Sequence, residues 1–247
     1  ILILVLKRIV VMVMIKLTKF MNKIILAVCL LLCCGNISAQ NKNNPLRDSL
    51  RIATNELGFH PDSVDLRLKK AAWNVQLHEW NYAKDEYDLI LKFHPRNLSA
   101  LLYRAYVNVQ LLRYNFARLD YQNLLTIVPG NFEAQLGLAL LNEKDKHYTE
   151  AYDGINRLIS QYSDSAVAYA ARANMEVERK MYDLAEDDYS KAISLDKNNT
   201  DYLLNRADIY IRKKKKNMAI ADLDRMISLG TPRASLKDYY QKAYKIK

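Results

Sequence analysis

The sequence predicts an all-α chain of stacked antiparallel helix hairpins, and three observations carry that prediction. Ala83, Ala117, Ala151, Ala185 and Ala219 are spaced by 34 residues without a gap, and so are Ala71, Ala105, Ala139, Ala173 and Ala207. A fixed period of this length dictates the architecture of a chain. Glycine and proline are scarce, 6 and 5 in 247 residues, too few for an all-β protein full of turns. Finally, Pro61, Pro95 and Pro129 punctuate successive units in the same register, before Ser163, Lys197 and Thr231 take the place.

The physical reason for the ladders is steric. Two antiparallel helices approach closely only where a small side chain faces the partner, so one alanine per helix marks the contact. Large columns keep the register: Tyr87, Tyr121, Ile155, Tyr189 and Leu223, then Ile90, Leu124, Leu158, Ala192 and Met226. Trp80, Tyr114, Tyr148 and Tyr182 supply an aromatic until Lys216 breaks the series, and are expected to fill the wedge between successive hairpins. Proline ends the second helix of a unit by removing a donor and restricting the residue before it. No single hairpin buries both its faces, so the units must stack into a solenoid.

In chain order, the leader comes first. From Met21 it reads as a complete signal peptide: Met21-Asn22-Lys23 is a short basic start and Ile24 to Leu32 an apolar run. Ile37-Ser38-Ala39-Gln40 then offers cleavage after Ala39 or after Gln40. Residues 1–20 are expected to be upstream readthrough ahead of a start at Met21. The alternative is a retained anchor built from residues 1–32, in which Lys16, Lys19 and Lys23 would be costly at a bilayer centre. A lipoprotein signal fits less well, since Leu32 precedes Cys33 and Cys33 precedes Cys34 where a small residue is wanted. The expected location is exported, periplasmic or envelope-associated. All three cysteines lie in the leader, so the mature chain would hold no thiol for catalysis, metal or disulfide. Of the net charge of +10, half belongs to residues 1–40, which hold five bases and no acid. A body that is only mildly basic does not require a nucleic-acid partner.

Beyond the leader, residues 41–63 are expected to form a half unit or N-terminal cap. Five full units follow at 64–97, 98–131, 132–165, 166–199 and 200–233, and residues 234–247 are expected to cover the last exposed face as a capping helix. This pattern resembles the tetratricopeptide repeat (TPR) family. Residues 98–131 match best, with Leu101, Ala105, Tyr114, Ala117, Tyr121, Leu124 and Pro129. The glycines common early in that family's repeats are replaced by alanine or polar residues, and alanine meets the same size limit. The resemblance implies a right-handed α-solenoid, the TPR superhelix, and a function in binding other proteins.

Comparing the units with one another reveals a covariation. Lys70, Arg104, Arg172 and Arg206 each stand 16 residues before an acid, Glu86, Asp120, Asp188 and Asp222. The third unit has Leu138 and Gly154 there, so base and acid vanish together. Pairing within a unit explains all five units, whereas pairing with the next unit would leave Asp120 facing Leu138. Four ion pairs joining the two helices of a hairpin are therefore expected, the alternative being independent solvated charges worth ~0–1 kcal/mol.

Nothing in the sequence points to catalysis, a cofactor or a metal. His60, His78, His94 and His147 show no HxxxH or HExxH spacing, although His60 and His94 both precede a proline on neighbouring turns. No Gly-rich phosphate loop or nucleophile elbow occurs. The run Arg212-Lys213-Lys214-Lys215-Lys216 falls at the turn inside the fifth unit and is expected to be a solvated loop, with a weak anionic-surface contact through Lys213, Lys214, Lys215 and Lys216 as the alternative.

The TPR resemblance also implies where a partner would lie, because in that family the first helix of each hairpin lines a concave groove. By position, the groove here is lined by Lys69, Ala72 and Gln76, then Tyr103, Tyr106 and Gln110, then Leu140, Glu143 and Lys144. Asn174 and Glu178 follow, then Asn205, Asp208 and Arg212. Asn174 and Asn205 sit where a carboxylate-gripping subclass has asparagines, but Ala170 replaces the expected lysine and the clamp is incomplete. The function expected is a scaffold holding a peptide or partner helix in the cell envelope. The alternative is a structural bridging component of an envelope assembly.

Overall fold

The structure is a computed structural model, and it describes residues 44–246. The signal peptide, its cleavage point and the readings of residues 1–20 lie outside the described residues. Among the described residues the chain is helix and turn throughout, with no strand.

Helix α1 spans Pro45–Phe59 and is followed by five hairpins. The first, α2 (Val64–Gln76) with α3 (Trp80–Phe93), sets the pattern. Next come α4 (Leu98–Gln110) with α5 (Tyr114–Ile127) and α6 (Phe132–Lys144) with α7 (Tyr148–Gln161). The last two are α8 (Ala166–Glu178) with α9 (Tyr182–Leu195) and α10 (Thr200–Arg212) with α11 (Lys216–Ser228). A 3-10 turn, Arg233–Leu236, leads into α12 (Lys237–Tyr244). Every first helix and every second helix starts at the 34-residue interval of the alanine ladders.

Local chemistry explains these boundaries. Ser63, Asn97, Asn131, Ser165 and Asn199 cap the first helices, each side-chain oxygen accepting a backbone N–H of the first turn. The turn inside each hairpin is a Schellman-type closure. The N–H of Glu79, Arg113, His147, Met181 and Lys215 reaches the carbonyl five residues earlier, each at 2.8 Å. The residue before it is left-handed in every hairpin: His78, Leu112, Lys146, Lys180 and Lys214, with φ between 57° and 63°. No proline is needed at the other end, since α7 and α9 stop in register where Ser163 and Lys197 stand in its place.

The described residues fall into two compact units, 44–154 and 155–246, divided within α7. In the first, α1 to α6 pack consecutively in neighbouring pairs, and the first helices also touch one another, α2 against α4 and α4 against α6. In the second, α8 to α12 pack consecutively and α12 also rests on α10. No member of either alanine ladder is more than 1% exposed, and Tyr87, Tyr121, Ile155, Tyr189 and Leu223 are buried beside them. Gly137 has a separate steric duty: a Cβ there would lie 2.5 Å from the ring of Tyr121. The aromatic series is only half-buried, and Tyr148 is exposed. Trp80 still meets the next hairpin, its ring roughly perpendicular to that of Tyr106 of α4 with centroids 6.1 Å apart. Leu236, Tyr240 and Ala243 are buried where α12 closes the C-terminal end.

Candidate partner-binding face

Arginines cross-link the helices on which the candidate face is carried. Arg104 Nε and Nη2 donate to the two oxygens of Asp120 at 2.9 and 2.6 Å. Arg172 grips Asp188 at 2.6 and 2.7 Å, and Arg206 grips Asp222 at 2.9 and 2.7 Å. Lys70 meets Glu86 at 2.7 Å, joined there by Arg67 at 2.9 Å, a partner the sequence did not suggest. Base and acid come from the two helices of one hairpin, as their spacing predicts. They are not solvated pairs, since Asp120 is 2% exposed and Glu86, Asp188 and Asp222 are also buried. A buried carboxylate needs matched donors, and the planar guanidinium supplies two at once.

The third nitrogen of each arginine makes a bond that was not foreseen. Arg104 Nη1 donates to Asp88 at 2.7 Å, Arg172 Nη1 to Asn156 at 2.8 Å and Arg206 Nη1 to Ser190 at 3.0 Å. Each acceptor lies on the preceding second helix, so one side chain joins three helices. Burial alone would raise the Asp88 carboxyl, but hydrogen bonds from Lys84 and Arg104 outweigh it and hold its pKa below the ordinary aspartate value. The acceptor column, Asp88, Gln122, Asn156, Ser190 and Asp224, is polar throughout, which is the signal that could have revealed it. Its last member is met by Tyr240 of α12, whose hydroxyl donates to Asp224 at 2.5 Å. Tyr240 stands where the next arginine of the series would be.

On the frame sit the side chains of the first-helix face. In the first unit Lys69 and Gln76 are exposed, while Gln110, Leu140, Glu143 and Lys144 are half-buried and Ala72 is buried. Tyr103 is half-buried and stacks on Tyr87 with centroids 6.3 Å apart. Tyr106 corrects the expectation of an available lining residue, because it is 3% exposed and packs on Trp80. Burial pushes the Tyr103 and Tyr106 hydroxyls up to about 12. Lys144 Nζ lies 6.0 Å above the ring of Tyr114.

In the second unit the polar candidates are held by specific bonds. Buried Tyr189 of α9 donates its hydroxyl proton to Asn174 Oδ1 at 2.6 Å and accepts from Asn205 Nδ2 at 2.9 Å. Both asparagines are half-buried, so each retains the other half of its amide. Glu178 is exposed. Asp208 accepts from Arg212 Nε at 2.7 Å, and the Arg212 guanidinium lies 5.8 Å over Tyr182.

The basic run is not a loop of free cations, which corrects the solvated reading. Lys213 Nζ bonds Asp183 and Glu186 of α9, and Lys215 Nζ bonds both oxygens of Glu186 at 2.8 Å. Lys216 lies 5.6 Å over Tyr244, while Lys214 is exposed at a left-handed φ and Arg212 is exposed but bonded to Asp208. The Glu186–Lys213 pair spans 27 residues, and Arg118–Asp145 spans the same 27 at 2.7 Å with the signs reversed. Among the described residues no cluster of His, Cys, Asp and Glu is disposed to hold a metal, and no helix is long and apolar enough to cross a membrane.

No protein-family model matches the sequence, and no curated protein matches it. Among solved structures the chain is similar to tetratricopeptide repeat proteins. One from Parabacteroides merdae superposes with a TM-score of 0.69 at 23% identity, over 81% of this chain and 78% of its own. A thermophilic TPR protein of Thermus thermophilus gives 0.60 at 17% identity, over 74% and 99%. The Cut9–Hcn1 hetero-tetramer of the APC/C gives 0.64 at 13% identity, over 81% of this chain and 39% of that one. These likenesses establish the fold: the chain is a tetratricopeptide-type all-α array.

Proposed function

We propose that this tetratricopeptide array is a protein-interaction scaffold of the cell envelope that takes an extended peptide or partner helix on the face of its first helices. The observation that carries the reading is the Asn174–Tyr189–Asn205 relay, at 2.6 and 2.9 Å. Tyr189 occupies the oxygen of one amide and one N–H of the other, so Asn174 retains its NH2 as donor and Asn205 retains its oxygen as acceptor together with a second N–H. A peptide bond offers the complementary pair, and recognition through main-chain groups suits a ligand of extended form. The similar Cut9–Hcn1 structure is itself a hetero-tetramer, which supports a role in assembly. The signal-like sequence from Met21 to Gln40 supports the envelope location.

Bridging of envelope subunits is the second reading. It draws on Tyr82, Phe93, Phe116 and Leu119, large apolar side chains exposed on the second helices of the first unit. Co-purification from an envelope fraction separates the two. Asn174→Ala combined with Asn205→Ala is expected to abolish capture of the partner, and Phe116→Ser to leave it intact. The reverse pattern rejects the groove in favour of bridging.

A further inference from the structure

We propose that the side chains ending α4 and α6 form a carboxylate-binding subsite, in which Gln110 Nε2 and Lys144 Nζ together take an acidic group of the bound peptide. The proposal rests on the reading that the first-helix face binds a peptide, and it names the chemistry recognised there.

Gln110 and Lys144 are the final residues of α4 and α6, two first helices that touch, and they occupy the same position one period apart. Gln110 Nε2 is buried and donates to nothing. Buried donors are nearly always matched, and because Gln110 as a whole is only half-buried, a turn of its side chain brings the unmatched N–H to an acceptor from outside. Lys144 is half-buried, and no carboxylate among the described residues lies within 4.0 Å of its ammonium. Burial lowers its pKa, and no neighbouring acid raises it again. The ring of Tyr114 lies 6.0 Å from that ammonium.

The register supplies its own control. Arg212 occupies the equivalent place at the end of α10, and that cation brings an acid with it, Asp208 at 2.7 Å. In the turn that follows, Lys213 and Lys215 likewise hold Glu186. Lys144 differs from Arg212 in having no such acid, and at the same position of the touching helix α4 the Gln110 amide also lacks an acceptor. A carboxylate satisfies both groups, one oxygen to the ammonium and one to the amide, and the positive charge disfavours basic or neutral ligands. The carboxylate can come from an Asp or Glu side chain or from a peptide C-terminus.

The test probes the full chain with arrays of synthetic random peptides, one set amidated at the C-terminus and one ending in a free carboxylate. Selection of Asp or Glu at one position in the amidated set identifies the side-chain source. Selection confined to the free-carboxylate set identifies the terminus. In either case Lys144→Met is expected to weaken the selected peptides by on the order of tenfold, and Gln110→Ala by less. Lys144→Glu should shift selection toward Lys and Arg. Because Lys144 has no internal acid, Lys144→Met should leave the melting temperature unchanged or higher, and a clear drop would assign it a structural role and overturn the proposal. Peptides that bind without acidic preference, equally well to Lys144→Met, also overturn it while leaving the peptide-binding face intact. Failure of the wild-type chain to select any peptide overturns both.

Discussion

Arg104, Arg172 and Arg206 each join three helices through one guanidinium, and that makes them unequal to ordinary surface charges. Arg104 Nε reaches Asp120 at 2.9 Å on its own hairpin while Nη1 reaches Asp88 at 2.7 Å on the hairpin before. Removing the arginine alone strands a buried carboxylate, so Arg104→Leu is expected to cost about 3–5 kcal/mol in urea unfolding. Arg104→Leu with Asp120→Leu should recover most of that loss, because no charge is then left unmatched. Equal losses for the single and double variants would show that the pair is not the source. A second residue-scale effect concerns Leu112, which adopts φ 59° while its side chain is 68% exposed. A left-handed leucine is strained relative to glycine, whose entropic cost offsets only part of the relief. Leu112→Gly should therefore stabilise the chain by roughly 0.5–1 kcal/mol. A loss of stability would mean the exposed leucine is held by contacts stronger than its strain.

At the scale of the helix pair, what could be read from the sequence depended on whether packing or hydrogen bonding did the work. The hairpins were legible because close helix contact demands a small residue at a fixed position, and Ala83 to Ala219 repeat that demand in every unit. The turns inside them were not, because the left-handed places hold His78, Leu112, Lys146, Lys180 and Lys214 where glycine or asparagine would have announced them. Their geometry is imposed by the closing backbone bond and the packing of the hairpin. The candidate face was partly legible: position placed Asn174 and Asn205 on it, but could not foresee that Tyr189 would hold both, or that Tyr106 would be buried. The third hairpin tests the arginine cross-links at this scale. It has Leu138 and Gly154 where the others have base and acid, and a helical glycine carries a penalty of roughly 1 kcal/mol against alanine. Amides of residues 138–160 should exchange faster than those of the second and fourth hairpins. Equal protection would show that the arginines do not govern local opening. Gly154→Ala is not a simple remedy, since the added Cβ would come within 3.3 Å of Ala139 Cβ.

Across the whole molecule, two half-buried acids, Asp88 and Glu186, make stability depend on pH in a defined direction. Burial opposes ionisation of Asp88 and Glu186, yet hydrogen bonds from Lys84 and Arg104, and from Lys213 and Lys215, leave both pKa values lowered. A lowered folded pKa means that the unfolded chain binds more protons, so this stabilisation is present above the ordinary carboxylate range and is lost as pH falls through the folded values. The urea midpoint should be flat from neutrality to about pH 5 and fall below about pH 4. A rise in stability on acidification would contradict the sign. The function proposed for the array depends instead on which face meets a partner. The most direct measurement places a photo-reactive amino acid at Glu178 of the first-helix face or at Phe116 of a second helix, in the full chain, and irradiates an envelope fraction. An adduct from Glu178 with none from Phe116 is the result this account predicts. An adduct from Phe116 alone would contradict it.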